Sequence, residues 1–215
     1  MPWKLHRNRR WRSWLGAQLG GDAELGDRAW RRIVHASGAS VLLYYVLPPH
    51  LFVIASTEEM LLIALGLVLL LEVLRHGVGL ELPTIRSYEI DRVGSYVYYS
   101  IALVAAVLLF PRPIAAVVVL GTAFVDPLAG ELRRRPPMAR RVTPIAWVSY
   151  SVIAVPVLWL SGWPVATAVV AGLATAAIAI AVERPRWRWY DDDLAMTLVP
   201  GIALTAAVWL WPSLF

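Results

Sequence analysis

Seven apolar runs separated by short polar stretches organise the chain, at roughly 32–48, 58–76, 94–111, 113–131, 143–161, 163–182 and 194–213. Each is long enough to cross a hydrocarbon core of about 30 Å as a helix. A helix satisfies its own backbone hydrogen bonds, which is what a lipid environment demands. The pattern predicts an all-α, polytopic integral membrane protein with about seven transmembrane helices. It divides the chain into a basic, Trp-containing segment over 1–31 and a transmembrane domain over 32–215. In the first segment Trp11, Trp14 and Leu15 fall at i, i+3, i+4 among Lys4, Arg7, Arg9, Arg10 and Arg12. One reading is an interfacial helix on an anionic membrane surface; the other is a solvated basic tail. No apolar stretch follows the basic start within thirty residues, so it does not read as a signal peptide.

The charges sort the connections into two kinds. The stretches at 48–57, 111–113 and 161–163 and the C-terminus hold one basic residue, Arg112, while the N-terminal segment and the loops near 75–93, 132–142 and 183–193 hold the other nineteen of the twenty Lys and Arg. Cytoplasmic loops carry the Lys/Arg excess. The N-terminus is therefore expected inside and the C-terminus outside, in a plasma membrane protein. A wrong number of spans would scramble this alternation. Composition agrees: 59% hydrophobic and 16% charged, against about 45–50% and 25% in soluble domains, with a mean hydropathy of +0.60. The net charge of +5 speaks here for orientation rather than for a nucleic-acid partner.

The acids gather on the same side as the arginines. Of the Asp and Glu, only Glu58 and Glu59 fall outside. Ionisable groups at membrane depth are costly and are usually functional or paired. Glu72 and Arg75, at i, i+3 near the inner end of the second run, read either as an intrahelical ion pair or as the edge of a polar pocket. Asp126 lies inside an apolar run and is followed by Pro127, which frees a backbone carbonyl and is expected to kink or break the helix. It reads as a cation or substrate ligand, or else as an acid neutralised by a buried arginine. Asp191, Asp192 and Asp193 precede the last run and read as a solvated loop, a helix cap or a hard Mg²⁺ site. His35 follows Arg31 and Arg32 and precedes Gly38, which leaves room for a phosphate or a helix to approach; it reads as a packed residue or a functional one. Glu89 and Asp91 are acid–base groups or surface charges. Ala and Gly dominate the sixth run, a close-packing stripe.

Several chemistries are excluded. There is no cysteine, so no disulfide, thiolate metal site or cysteine nucleophile. The single lysine, Lys4, leaves no Walker-A lysine and no Schiff-base lysine in a span. The kinase glycine loop with its strand lysine is absent, as are zincin spacing and the CDP-alcohol transferase signature.

Four segments, RRIVHASG (31–38), LEVLR (71–75), VDPLAGELRR (125–134) and DDDLAMTLVPG (191–201), resemble in order and spacing the CTP-dependent lipid-alcohol kinases: dolichol kinase, phytol kinase and CTP-dependent diacylglycerol kinase. The chain looks most like the short archaeal polyprenol (dolichol) kinases, over about residues 31–205. The resemblance implies phosphorylation of an isoprenoid lipid alcohol by CTP with Mg²⁺, at the cytoplasmic face. It implies catalytic roles for Asp126 and His35, and Mg²⁺ on Asp126, Asp191, Asp192 and Asp193. Nucleotide contacts fall to Arg31, Arg32, Gly38, Arg75, Arg133 and Arg134, with Glu72 and Glu89 in the same polar pocket. The chain departs from the family pattern where Asp193 replaces Asn, Ala195 replaces Thr and Val125 replaces Gly. The Lys-Thr-x-Glu-Gly run is missing, with Arg141, Val142 and Thr143 near its place. Two alternatives are a CTP-dependent cytidylyltransferase making a CDP-lipid, which would release pyrophosphate, and a small membrane transporter or scaffold.

Overall fold

The apolar runs fold as helices whose ends fall where the sequence supplies stop and start chemistry. The computed structural model describes residues 32–50, 55–79, 92–183 and 191–214. Helix α1 is α-helical over 32–37 and continues as a 3₁₀ helix over Gly38–Tyr45. Then follow α2 (Thr57–Val78), α3 (Ser95–Leu109), α4 (Arg112–Arg133), α5 (Val142–Leu160), α6 (Val165–Glu183) and α7 (Asp192–Leu210). A single turn, Pro136–Ala139, follows α4. Ser56 and Glu59 form a reciprocal capping box at the start of α2. Gly79 ends that helix with φ 69°, a left-handed conformation that costs glycine nothing. Asp191 caps α7, its side chain accepting from the Asp193 N–H at 3.0 Å. Of the readings open for the Asp191–Asp193 run, a helix cap is therefore present.

Among the described residues, α2, α4, α5, α6 and α7 are long and apolar enough to cross a membrane. Helix α3 has 15 residues, about 22 Å at the α-helical rise, and α1 is a short mixed helix. Both are shorter than the spans expected at 94–111 and 32–48. The expected break at Pro127 is not seen: α4 runs unbroken from Arg112 to Arg133 with Pro127 inside it, as Pro156 lies inside α5 and Pro200 inside α7. Each proline removes one ladder hydrogen bond and leaves the carbonyl four residues earlier, such as that of Ala123, without its usual donor.

Helices α4, α5, α6 and α7 pack in a ring, α4 on α5, α5 on α6, α6 on α7 and α7 on α4. Helix α3 lies on α4 and α7, α1 on α4 and α3, and α2 on α3 at the edge. The ring is filled by Ile114, Val117, Tyr150, Leu158, Met196 and a set of alanines. A second core around Leu103, Val107, Val118 and Val119 binds α3 and α1 to it. Small residues set the spacing. A Cβ on Gly121 would overlap the Tyr150 ring, one on Gly172 would meet Val155, and one on Gly201 would overlap the Phe110 ring. Large apolar side chains such as Leu67, Val152, Leu160, Val170 and Trp209 face outward, as lipid-facing positions do and water-facing ones rarely do.

Side-chain pairs fix the helix directions. His35 meets Asp126 and Arg32 meets Glu131, so numbering rises along α1 as it falls along α4, and the two are antiparallel. Asp126 shares His35 with Asp193 while Thr122 bonds Thr197, so α7 is antiparallel to α4. Arg133 pairs with Glu183, which puts the C-terminal ends of α4 and α6 side by side. Tyr99 bonds His35 and Tyr45 bonds Val107, so α1 and α3 are parallel. One end of the bundle therefore collects His35, Glu72, Asp126, Glu131, Glu183 and Asp191–Asp193. The other end carries Glu58, Glu59 and Arg112.

Candidate functional site at the charged end of the bundle

The site is built on His35, in the last α-helical turn of α1. Its Nε2 lies 3.0 Å from Asp193 Oδ1 and 3.4 Å from Asp126 Oδ2. Ionised carboxylates only accept, so with both acids charged Nε2 carries the hydrogen. The imidazole stacks on the Tyr99 ring, centroids 4.2 Å apart and planes within 10°. The Tyr99 hydroxyl donates to the His35 carbonyl at 2.6 Å. Gly38, one turn on, permits this, since a Cβ there would overlap the phenol.

Below the acids, Thr197 donates to the Asp193 carbonyl at 2.8 Å, and Thr122 and Thr197 hydroxyls are 2.9 Å apart. Each hydroxyl has one hydrogen, so Thr122 is the donor of the pair. Thr122 and Asp126 stand at i, i+4 on α4, and Asp193 and Thr197 at i, i+4 on α7, so the same two helix faces carry the acids and the lock beneath them. The carboxylates of Asp191, Asp192 and Asp193 converge within 4.8 Å, and so do the ligand atoms of His35, Asp126 and Asp193.

Two arginine–glutamate pairs frame the cluster. Arg32 donates to Glu131, which also takes Arg135 at 3.2 Å. Arg133 donates to Glu183, whose side chain is almost fully buried while Arg133 is 40% exposed. Arg134 stands exposed after α4.

Glu72 and Arg75 form a second buried cluster, one turn away along α3. Arg75 Nε and Nη2 donate to the two Glu72 oxygens, both at 2.7 Å. Glu72 also accepts from the Gly94 N–H at 2.9 Å and from the Tyr96 hydroxyl at 2.6 Å, and Arg75 donates to the Arg92 carbonyl. Of the two readings open for the pair, the intrahelical bridge is present, and it also pins the start of α3. Arg75 is held in that clamp.

The structure therefore assembles His35, Gly38, Asp126, Asp191, Asp192 and Asp193, with Arg32 and Arg133 at their rim. Asp126 faces a histidine, with no arginine contact among its described neighbours. Arg31 and Glu89 lie outside the described residues. Sequence reasoning missed Tyr99, Glu131, Glu183 and the Thr122–Thr197 pair. Glu183, an acid within the C-terminal end of an apolar helix, carried a signal of its own; the others become visible only through packing. Comparison of the chain with protein-family models, with curated proteins and with solved structures finds no match.

Proposed function

We propose that the protein is a membrane-embedded phosphotransferase that moves the γ-phosphoryl group of CTP to the hydroxyl of an isoprenoid or related lipid alcohol. The observation that carries this reading is the meeting of His35, Asp126 and Asp193 from three helices distant in sequence. Each belongs to a different one of the segments that resemble the lipid-alcohol kinases, and Arg32 and Arg133 stand beside them. The confinement of these groups to one end supports a membrane acceptor meeting a water-soluble donor, and weighs against a transport path.

In this reading all seven helices cross the membrane with the charged end in the cytoplasm. With its 3₁₀ part rising about 2.0 Å per residue, α1 covers about 25 Å, close to the core thickness. The acceptor's tail lies in lipid and its hydroxyl reaches Asp126. The acceptor oxygen bonds to the γ-phosphorus, the bond to the CDP oxygen breaks, CDP departs, and the hydroxyl proton passes to an Asp126 carboxylate oxygen. His35 holds the two carboxylates in register. Arg32 and Arg133 present guanidinium N–H groups to phosphate oxygens as they release part of their hold on Glu131 and Glu183. The oxygen donors of Asp126, Asp191, Asp192 and Asp193 suit Mg²⁺, a hard cation. When bound, it offsets charge on the transferring phosphoryl group.

The test uses purified protein in detergent with Mg²⁺, mixed lipid alcohols and γ-labelled CTP or ATP. Label from CTP in the organic phase, lost in Asp126→Asn, is the expected result. Label from ATP alone discards the donor and keeps the chemistry. Pyrophosphate release with lipid phosphates, without label transfer, replaces the reading by a cytidylyltransferase. Silence in both assays removes the enzyme.

A further inference from the structure

Asp126 and Asp193 bring two carboxylates to a single ring nitrogen at the charged end of an apolar bundle. Two acids held this close repel when both are ionised, and a proton or a cation between them relieves that repulsion. The three ligand atoms lie within 4.8 Å of one another, which is the donor set of a divalent cation as well as of a hydrogen-bonded histidine. The His35 ring and the backbones that carry the two acids are held by contacts of their own. The imidazole is fixed by the Tyr99 stack and the Tyr99 bond to its carbonyl. Asp193 is fixed by the Asp191 cap and by Thr197, and α4 is tied to α7 through Thr122. A site held on rigid elements in this way loses little on binding an ion. Its chemistry is also mixed. Mg²⁺ takes oxygen, whereas one imidazole with two carboxylates suits Mn²⁺ and the later divalent metals better.

We propose that His35 is a metal ligand, and that His35, Asp126 and Asp193 form a resident divalent-cation site that fills without nucleotide and prefers Mn²⁺ to Mg²⁺. The inference rests on the phosphotransferase reading only for the ion's purpose; the site itself is tested apart from it.

Metal-stripped, nucleotide-free full chain in detergent is titrated with Mn²⁺ and followed by electron paramagnetic resonance. One bound Mn²⁺ per chain is expected, with spin-echo modulation from a directly bound imidazole nitrogen. Mg²⁺ should compete only in at least about tenfold excess. Replacing even an outer-shell partner typically costs about 10–100-fold in affinity, so His35→Gln, a direct ligand change, should weaken Mn²⁺ at least tenfold and abolish the modulation. Circular dichroism checks its fold. A variant keeping His35 as its sole histidine, with His6, His50 and His76 changed to Gln, should retain the modulation. No uptake of Mn²⁺ without nucleotide, or uptake without nitrogen modulation, overturns the inference. Label transfer from CTP without nucleotide-free Mn²⁺ uptake overturns it while the proposed function stands. Nitrogen-coupled Mn²⁺ with no transfer from any donor supports it while that function falls.

Discussion

The imidazole of His35 lies flat on the phenol of Tyr99, and the same phenol donates its hydroxyl to the His35 carbonyl. One side chain thus fixes both the ring and the backbone of the residue at the centre of the site. Tyr99→Phe keeps the stack and loses a hydrogen bond worth about 1 kcal/mol. Tyr99→Leu loses the aromatic contact as well, a further ~0.5–1.5 kcal/mol. Gly38→Val drives a side chain into the phenol's place. Phosphoryl transfer should fall in the order wild type, Tyr99→Phe, Tyr99→Leu, with Gly38→Val as low as the last. Steady-state rates with lipid alcohol and CTP check the order. Full activity in Tyr99→Leu would show that the stack does not position the site.

Glu72 and Arg75 are both buried, with side chains 9% and 5% exposed. Removing one partner of a buried pair strands the other charge, at a cost of about 3–5 kcal/mol. Glu72→Leu or Arg75→Met alone should therefore destabilise strongly, and the Glu72→Leu/Arg75→Met double variant should lose less than the sum. Because Glu72 also holds the Gly94 N–H and the Tyr96 hydroxyl, the Glu72 change should be the worse single. Unfolding in mixed micelles, read by circular dichroism, measures all three. Additive losses would show that the pair is not coupled.

Neighbouring residues on α4 separate shape from hydrogen bonding. Thr122→Val removes the bond to Thr197; such interhelical bonds average about 0.6 kcal/mol in membranes. Gly121→Ala places a methyl group where the fully buried Tyr150 ring lies, and overpacking of this kind costs about 1–3 kcal/mol. The glycine change should be the more damaging, by the same unfolding assay. The reverse order would mean that the ring gives way easily.

The spans were legible because lipid imposes a length and a polarity that show in the linear pattern. Helices α2 and α4–α7 begin and end within about three residues of the runs that announced them. The alternation of charged and uncharged connections matches the antiparallel order set by the His35–Asp126 and Thr122–Thr197 pairs. The 3₁₀ geometry of Gly38–Tyr45 was not legible, since i+3 and i+4 ladders use the same apolar composition. His35, Asp126 and Asp191–Asp193 stood out as ionisable residues in or beside apolar runs. Their partners did not, because pairing across 158 residues, as between His35 and Asp193, is decided by which helices become neighbours. Arg75 shows both sides: its pairing with Glu72 at i, i+3 was open to a reading of the sequence, and its bond to the Arg92 carbonyl was not.

The chain has no cysteine, so single introduced thiols report sidedness without background. Arg140 follows α4 at the charged end, and Ser161 ends α5 at the other; both are exposed. His50 follows α1 and is exposed too, and Ser13 belongs to the basic segment outside the described residues. If seven helices cross with the charged end inside, a membrane-impermeant maleimide added to intact cells should label His50→Cys and Ser161→Cys. It should leave Arg140→Cys and Ser13→Cys to be labelled only after the membrane is opened. The Ser13–His50 contrast isolates α1, a short helix of mixed α and 3₁₀ geometry. Labelling of Ser13→Cys and His50→Cys from the same side would make α1 a helix that enters without crossing, and would put the N-terminus on the side opposite to the one its arginines predict. The arginine clusters after α4 and α6 would then have to set the orientation without it. In that case Arg140→Cys should still be protected, since those clusters carry the same bias.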